Sequence, residues 1–425
     1  MPETAQLHIK NASVLDISAG TVSPGRSILI ENGLITWVGP ISNIPAEYSS
    51  REWDVVDAAG KYVMPGLIDG HVHVTAATAD LGEMATWSPT YVAAHTARNL
   101  SAMLRRGFTT VRDVAGADFG VAMAVEEGLF EGPRVVFGGK ALSQSGGHGD
   151  MRSMGTNTID PHQCCPSIGI VCDGVDAVRK AARDQLRTGA HHIKVMLSGG
   201  VASPTDRVDS TQFSESEILA VVEEAEAANR YVCGHAYTAR AVNRGLRLGV
   251  RCIEHGNLID DESVSLFVAN EAYLVPTLIT YERLKADGEA AGLPAASREK
   301  VDTVLHAGLD ALDRANKGGV KIVFGTDLLG AMQIHQSEEF RIRARVQTAQ
   351  EVLRSATITA AELMGFEGKL GVVTAGAIAD LLIVNENPLE DVTVLADPDS
   401  SIAMVIQAGR PVSTRSGLVP ELVER

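Results

Sequence analysis

Between residues 66 and 372 the chain alternates, eight times over, a short apolar run of β character with what is mostly a helical stretch. The runs are Leu67–Val74, Thr109–Val114, Arg134–Gly138, His192–Leu197, Tyr231–His235, Cys252–His255, Tyr273–Pro276 and Lys321–Thr326. Strands separated by helices return to their sheet through crossovers, and so lie parallel. Eight such units in this length have the size and rhythm of a (β/α)8 TIM barrel. A doubly wound open sheet competes, but usually has five or six strands and no chemistry at so many strand ends. The expected fold class is α/β.

The flanks read differently. Leu7–Val14, Ser27–Glu31, Leu34–Val38 and Lys61–Met64 are strand-like, and Asn32-Gly33 is a hairpin signal. After residue 376 strands resume at Ile378–Val384 and Ile402–Gln407, followed by Gly409-Arg410-Pro411. These are expected to pair with the N-terminal strands in a small discontinuous β-sandwich. The expected domains are residues 1–65, 66–372 and 373–425, the first and last forming the sandwich and the middle one the barrel. Among the helices, Glu215–Asn229 opens at Ser214 with Glu217 three residues on, a capping-box signature, and Ala349–Met364 is a second helical stretch. Ser143–Gly174, rich in Gly, Ser, His and Cys, is the longest expected loop and should cover the barrel mouth.

Composition narrows the partners. With 37 Lys and Arg against 53 Asp and Glu, the net charge of −16 repels phosphate, which argues against nucleic acid and anionic membranes. No apolar run reaches the roughly 18 residues of a spanning helix. Five cysteines are too few for a disulfide scaffold in a chain of 425 residues. Met1-Pro2-Glu3-Thr4 has no basic stretch leading into an apolar core, so the cytoplasm is the default location.

The chemistry sits at the strand ends. His71 and His73 are two apart at the end of the first strand, and period-two alternation puts both imidazoles on one face. An isolated His-x-His is more often one core and one solvated histidine. Here, however, Lys194, His235, His255 and Asp327 fall at the ends of the fourth, fifth, sixth and eighth strands. Lys, Asp and His are rarely buried alone. Together they form a site whose imidazoles and carboxylate suit Zn²⁺ or a similar divalent ion. Lys194 reads two ways: as a substrate-binding or salt-bridging ammonium, or as a buried neutral amine. Such an amine can add CO₂ to give a carbamate that bridges two metals.

The run Pro65-Gly66-Leu67-Ile68-Asp69-Gly70-His71-Val72-His73, then Lys194, His235, His255 and Asp327 in that order, resembles the amidohydrolase superfamily. The tail Gly376-Ala377-Ile378-Ala379-Asp380-Leu381-Leu382 is similar to that family's return to its sandwich. Gly146-Gly147-His148-Gly149-Asp150 and Gly234-His235-Ala236-Tyr237 narrow the likeness to the Xaa-Pro dipeptidase and carboxypeptidase-like group, which includes ochratoxinase-type amidases. The resemblance implies a first metal on His71, His73 and Asp327, a second on His235 and His255, and carboxylated Lys194 bridging both. It implies attack on an amide by a hydroxide held between two ions, with Asp327 carrying the proton to the leaving amine. His148 and Tyr237 look like a clamp for a substrate carboxylate, and Arg152 is a further candidate for the same charge.

The expected activity is hydrolysis of an amide next to a C-terminal carboxylate, in a dipeptide, an N-acyl amino acid or an ochratoxin-type amide. Cyclic amides or imidazolones, lactones and phosphotriesters suit the same centre, and a scaffold without activity should lack ligands that are all present. Zn²⁺ is the first choice of metal, with Mn²⁺, Co²⁺ and Fe²⁺ fitting similar donors. The resemblance also implies a homo-oligomer. Trp87 and Ser88 are possible pocket residues, and His192 a possible neighbour of the metals. His335 is divided between that role and solvent, and His95 is expected at the surface or in packing. Cys164, Cys165 and Cys172 read as ordinary loop thiols, and Gly199-Gly200 as a turn.

Overall fold

The computed structural model describes residues 6–49, 51–152, 155 and 166–414. They divide into two compact units, one of the described residues within 1–68, 102–110 and 347–425, the other of those within 69–101 and 111–346.

The first unit is built on an eight-stranded sheet. Gln6–Asp16, Thr21–Glu31 and Leu34–Pro40 form an antiparallel meander. Asn32 and Gly33 turn the second hairpin at φ 53° and 77°, the double-positive geometry that an Asn-Gly pair favours. Asp54–Asp57 and Tyr62–Pro65 join Gln6–Asp16 in parallel. Leu381–Val384 then pairs antiparallel with Tyr62–Pro65, Leu381 opposite Pro65, which brings the chain's last strands onto its first. Ile402–Gln407 and Arg410–Thr414 complete the order, with Pro411 on the edge strand, where a missing N–H is tolerated. The buried core here is aliphatic, including Leu7, Ile9, Ile28, Ile30, Val63, Ile383 and Ile406.

Parallel strands carry the other unit. One sheet orders Gly169–Val171, Ala141–Ser143, His192–Met196, Tyr231–Thr238, Cys252–Leu258, Tyr273–Val275 and Lys321–Ile322, every pair parallel. A second sheet orders Leu67–Val72, Phe108–Asp113 and Arg134–Phe137. Backbone bonds join their margins: His191 N–H donates to Phe137 O at 2.9 Å at one, and at the other Gly70 N–H donates to Phe324 O at 2.7 Å and Asp327 N–H to His71 O at 2.8 Å. His192–Met196 and Leu67–Val72 are buried throughout, as parallel strands covered on both faces must be. Glu215–Ala227 is the expected helix, with Ser214 and Glu217 forming the capping box.

Two expectations need correction. Ala349–Met364 is two helices, Ala349–Ser355 and Ile358–Leu363. The break has a cause: Ala356 O accepts Ile68 N–H at 2.8 Å and so leaves the helical ladder. Ser143–Gly174 is not all loop, because Gly169–Val171 pairs with Ala141–Ser143, two strands too short to show periodicity. Cys164 and Cys165 lie outside the described residues. Finally, two helices that the strand count did not require, Leu278–Asp287 and Ala295–Leu305, follow Tyr273–Val275.

Candidate metal centre

Asp69 organises the end of the first parallel strand. Fully buried, it accepts His71 N–H at 3.1 Å, the Thr326 hydroxyl at 2.7 Å and Gln336 Nε2 at 2.9 Å. Gly70 allows the close approach of the last strand, since a Cβ there would lie 2.5 Å from Val323 Cγ1. Those contacts carry Asp327 to the two histidines. Its Oδ1 is 3.3 Å from His71 Nε2 and 3.2 Å from His73 Nε2. The three donor atoms lie within 4.8 Å of one another, close enough to hold one metal ion.

The far nitrogen of each imidazole is occupied. His73 Nδ1 meets Ala115 O at 2.7 Å and His71 Nδ1 meets Glu254 Oε2 at 2.7 Å. Acceptors on Nδ1 fix the tautomer and turn the Nε2 lone pair inward, the arrangement metal-binding histidines need. Glu254 is held in turn by Arg112, whose Nη2 donates to it at 2.6 Å while Nε donates to Gly70 O at 2.6 Å. Burial alone would raise the Glu254 carboxyl, but Arg112, then His71 and Lys194, hold it well below its usual range. Burial opposes ionisation of Asp327 as well, and His71, then His73, hold it well below the usual carboxylate value.

Glu254 and His255 are sequence neighbours, which strand alternation would point to opposite faces. His255 escapes that rule with φ 76°, so the Glu254 carboxylate and the His255 ring both reach His71, the rings 5.1 Å apart. Thr277 and Asp327 also sit at positive φ, 46° and 53°. Non-glycine residues held there cost energy and mark sites where side-chain placement overrides backbone preference. His255 Nδ1 is fixed at 2.8 Å from the Thr277 hydroxyl.

His71, His73, Lys194, His235, His255 and Asp327 line one cavity of about 580 Å³, mouth included, together with His148 and Tyr237. His235 lies 4.5 Å from His255, ring to ring, and Nε2 faces Gly199 O at 3.2 Å. Burial drives both imidazoles well below their normal pKa, so they are neutral, the form that binds metal. Lys194 is 3% exposed, and no hydrogen bond or ion pair joins its Nζ to another described residue. The donor set therefore fits divalent ions.

The remaining candidates divide. Tyr237 faces the cavity with its hydroxyl 3.4 Å from that of Tyr281. His148 stacks on His235 with ring centres 4.1 Å apart. Arg152 is not among the lining residues; Asp150, two positions away, takes its guanidinium at 2.6 Å. Trp87 packs on Tyr91 and His95 away from the cavity lining, and Ser88 is exposed. His335 pairs with Glu338 at 2.7 Å. His192 is fully buried and stacked on Tyr231, with neither ring nitrogen hydrogen-bonded among the described residues. Cys172 is a buried free thiol. Sequence reading missed Arg112, Glu254, Thr277 and Tyr281 as parts of the site. Arg112 and Glu254 carried the same faint signal, each a charge inside an expected strand, but nothing in the sequence paired them.

The amidohydrolase family profile matches residues 62–412. Ochratoxinase of Aspergillus niger is 32% identical over 410 residues, covering 91% of this chain and 84% of its own. The crystal structure of a prolidase complexed with N-methylphosphonate-L-proline superimposes with a TM-score of 0.92 at 46% identity, over 97% of this chain and 100% of that one. A Xaa-Pro dipeptidase with methionine bound in its active site superimposes with a TM-score of 0.84 at 28% identity, over 96% and 99%. No helix among the described residues is long and apolar enough to cross a membrane. The chain belongs to the amidohydrolase family, and is a hydrolase of amide bonds.

Proposed function

We propose that this protein hydrolyses the amide bond next to a C-terminal carboxylate, in Xaa-Pro dipeptides, other dipeptides or N-acyl amino acids including ochratoxin-type amides. The observation that carries the reading is a buried Lys194, hydrogen-bonded to no described residue, among five histidines and Asp327 in one cavity, in a chain 46% identical to a prolidase. On this reading His71, His73 and Asp327 would hold one divalent ion and His235 and His255 a second, and Lys194 would serve both as a carbamate. Two such ions, when bound, supply hydroxide at neutral pH and polarise the scissile carbonyl. Zn²⁺ is the first metal to test. The parallel strands are read as a TIM barrel and the flanking sheet as its discontinuous β-sandwich, with domains at residues 1–65, 66–372 and 373–425.

The protein's own groups do the rest. Asp327, kept ionised by its histidines, accepts the proton of the attacking water and passes it to the leaving nitrogen. Glu254 and Ala115 O keep His71 and His73 in the ligand tautomer. Met151, Ile168, Val201, Leu284 and Leu329 line an apolar wall that excludes water and suits a bulky acyl group. His148 and Tyr237 take the substrate carboxylate. The family likeness adds a homo-oligomer, which light scattering checks directly.

The test is a panel of Xaa-Pro dipeptides and N-acyl amino acids, each beside its C-terminal carboxamide. Metal-dependent release of the free amino acid, faster from the carboxylate form, supports the reading. Hydrolysis only of cyclic amides, lactones or phosphotriesters would replace it.

A further inference from the structure

Part of the cavity wall is built without a helix or a strand. Between His192–Met196 and Glu215–Ala227 the only ladder contact is an isolated bridge of Ser198 with Thr211. Yet Val201 and Ala202 from this turn line the cavity. The turn also lies against Tyr237: Tyr237 N–H donates to Ser198 Oγ at 3.3 Å, and Val201 N–H donates to the Tyr237 hydroxyl oxygen.

Side chains hold this backbone where a ladder does not. Gly199 fits because it has no Cβ, which would lie 1.9 Å from Arg207 O. Asp206 Oδ2 accepts Gly200 N–H and Gln212 Nε2, both at 3.0 Å, and its Oδ1 accepts the Ser203 hydroxyl. Lys300, from the helix Ala295–Leu305, donates to Ser203 O at 2.8 Å, Gly200 O at 3.1 Å and Asp206 Oδ1 at 3.2 Å. Those three acceptors match every N–H that an ammonium has. From the same helix, the fully buried Ser297 donates to Ala202 O at 3.3 Å. The carbonyls of Gly200, Ala202 and Ser203 are thus all held from one helix, on both sides of the two wall residues.

We propose that Lys300 is a positioning residue for substrate specificity: by holding the turn through Gly200 and Ser203, it sets the width of the cavity at Val201 and Ala202 and so selects the C-terminal residue of the substrate. The proposal rests on the reading that Tyr237 takes the substrate carboxylate, which places the residue bearing that carboxylate against Val201 and Ala202. Small differences in such a wall matter, because one methylene in an apolar pocket discriminates about 10–200-fold. Lys300 itself does not line the cavity; it acts through the turn.

The experiment compares metal-loaded wild-type protein with Lys300→Met, close in length but without donors. It measures kcat/KM for Ala-Pro and Ala-Phe, with melting temperature, bound metal and hydrogen exchange of residues 198–206 recorded in parallel. The ratio of the two kcat/KM values does not depend on how much of the protein is folded, so loss of stability alone leaves it unmoved. Lys300→Met should speed exchange in the turn and lower the Ala-Pro to Ala-Phe ratio about tenfold, because a loosened wall admits the bulkier ring. An unchanged or rising ratio in a folded, metal-loaded variant overturns the proposal. Failure of the wild type to cleave either dipeptide overturns the carboxylate reading instead, so the two failures are distinct. If Lys300→Met does not fold, Ser297→Ala, which frees only Ala202 O, decides by the same ratio: a fall supports the proposal and no change overturns it.

Discussion

The two units of this chain bury different things. In the flanking sheet the interior is Leu, Ile, Val, Ala and Met, and the backbone departs from ordinary geometry chiefly at turns such as Asn32-Gly33. In the parallel-strand unit Asp69, His71, Arg112, Asp113, Lys194, His235, Glu254 and His255 are all nearly or completely buried. His255, Thr277 and Asp327 there hold positive φ beside the cavity. Aliphatic burial stabilises at roughly 25 cal/mol per Å² wherever it occurs. Burying ions costs several kcal/mol apiece unless each is paired. Aliphatic burial of the first kind contributes stability, then, whereas buried charges of the second kind persist where each finds a partner.

Substitutions should separate the two regions. The largest effect is expected at Asp327→Asn, which keeps the shape but removes the proton acceptor. Turnover should fall about 10³-fold while much of the metal stays bound; retained activity would remove Asp327 from proton transfer. Lys194→Ala should release metal and activity together, and short carboxylic acids added to the assay should restore part of both. Failure of acetate and propionate to rescue would speak against a carbamate bridge.

Glu254→Gln breaks the pair with Arg112 and the bond to His71. Loss of one partner from a buried pair costs about 3–5 kcal/mol, and loss of the group behind a ligand weakens metal binding about 10–100-fold. Melting curves and metal titration read both, and a change in one alone would mean that Glu254 serves only that role. Smaller still is Ile383→Val in the flanking sheet, about 1 kcal/mol of stability with kcat unchanged. A fall in kcat there would erase the contrast between the regions.

Acid should act mainly on the parallel-strand unit. Burial lowers the pKa of His192, and with it those of His235 and His255, well below the ordinary 6.5. The unfolded chain thus takes up protons first. Stability of the metal-stripped protein should be full above about pH 6.5 and fall as the pH drops below it. His192→Leu removes one such group, with two nitrogens that have no partner among the described residues, and should flatten the acid limb. An unchanged limb would show that His192 is not one of the groups responsible.

Much of this contrast was legible in the sequence. Period-two and helical patterns located the parallel strands within a few residues, and His71, His73, Lys194, His235, His255 and Asp327 stood out because such side chains are seldom buried alone. Residues that act through another residue were harder to see. Arg112 and Glu254 look like ordinary charged residues until the strands Phe108–Asp113 and Cys252–Leu258 bring them together across 142 positions. Tyr281 and Lys300 arrive on helices that no repeat required. The engagement of Arg152 by Asp150, two positions away, was likewise not weighed in the sequence reading.

The most direct test of the account is reconstitution. Metal-stripped protein is titrated with Zn²⁺ while hydrolysis of a Xaa-Pro dipeptide and bound metal are followed together. The account predicts no activity without metal and full activity as occupancy approaches about two ions per chain, with Lys194→Ala failing to reach it. Full hydrolysis by the stripped protein, or activity that saturates at one ion and is indifferent to Lys194, would contradict it.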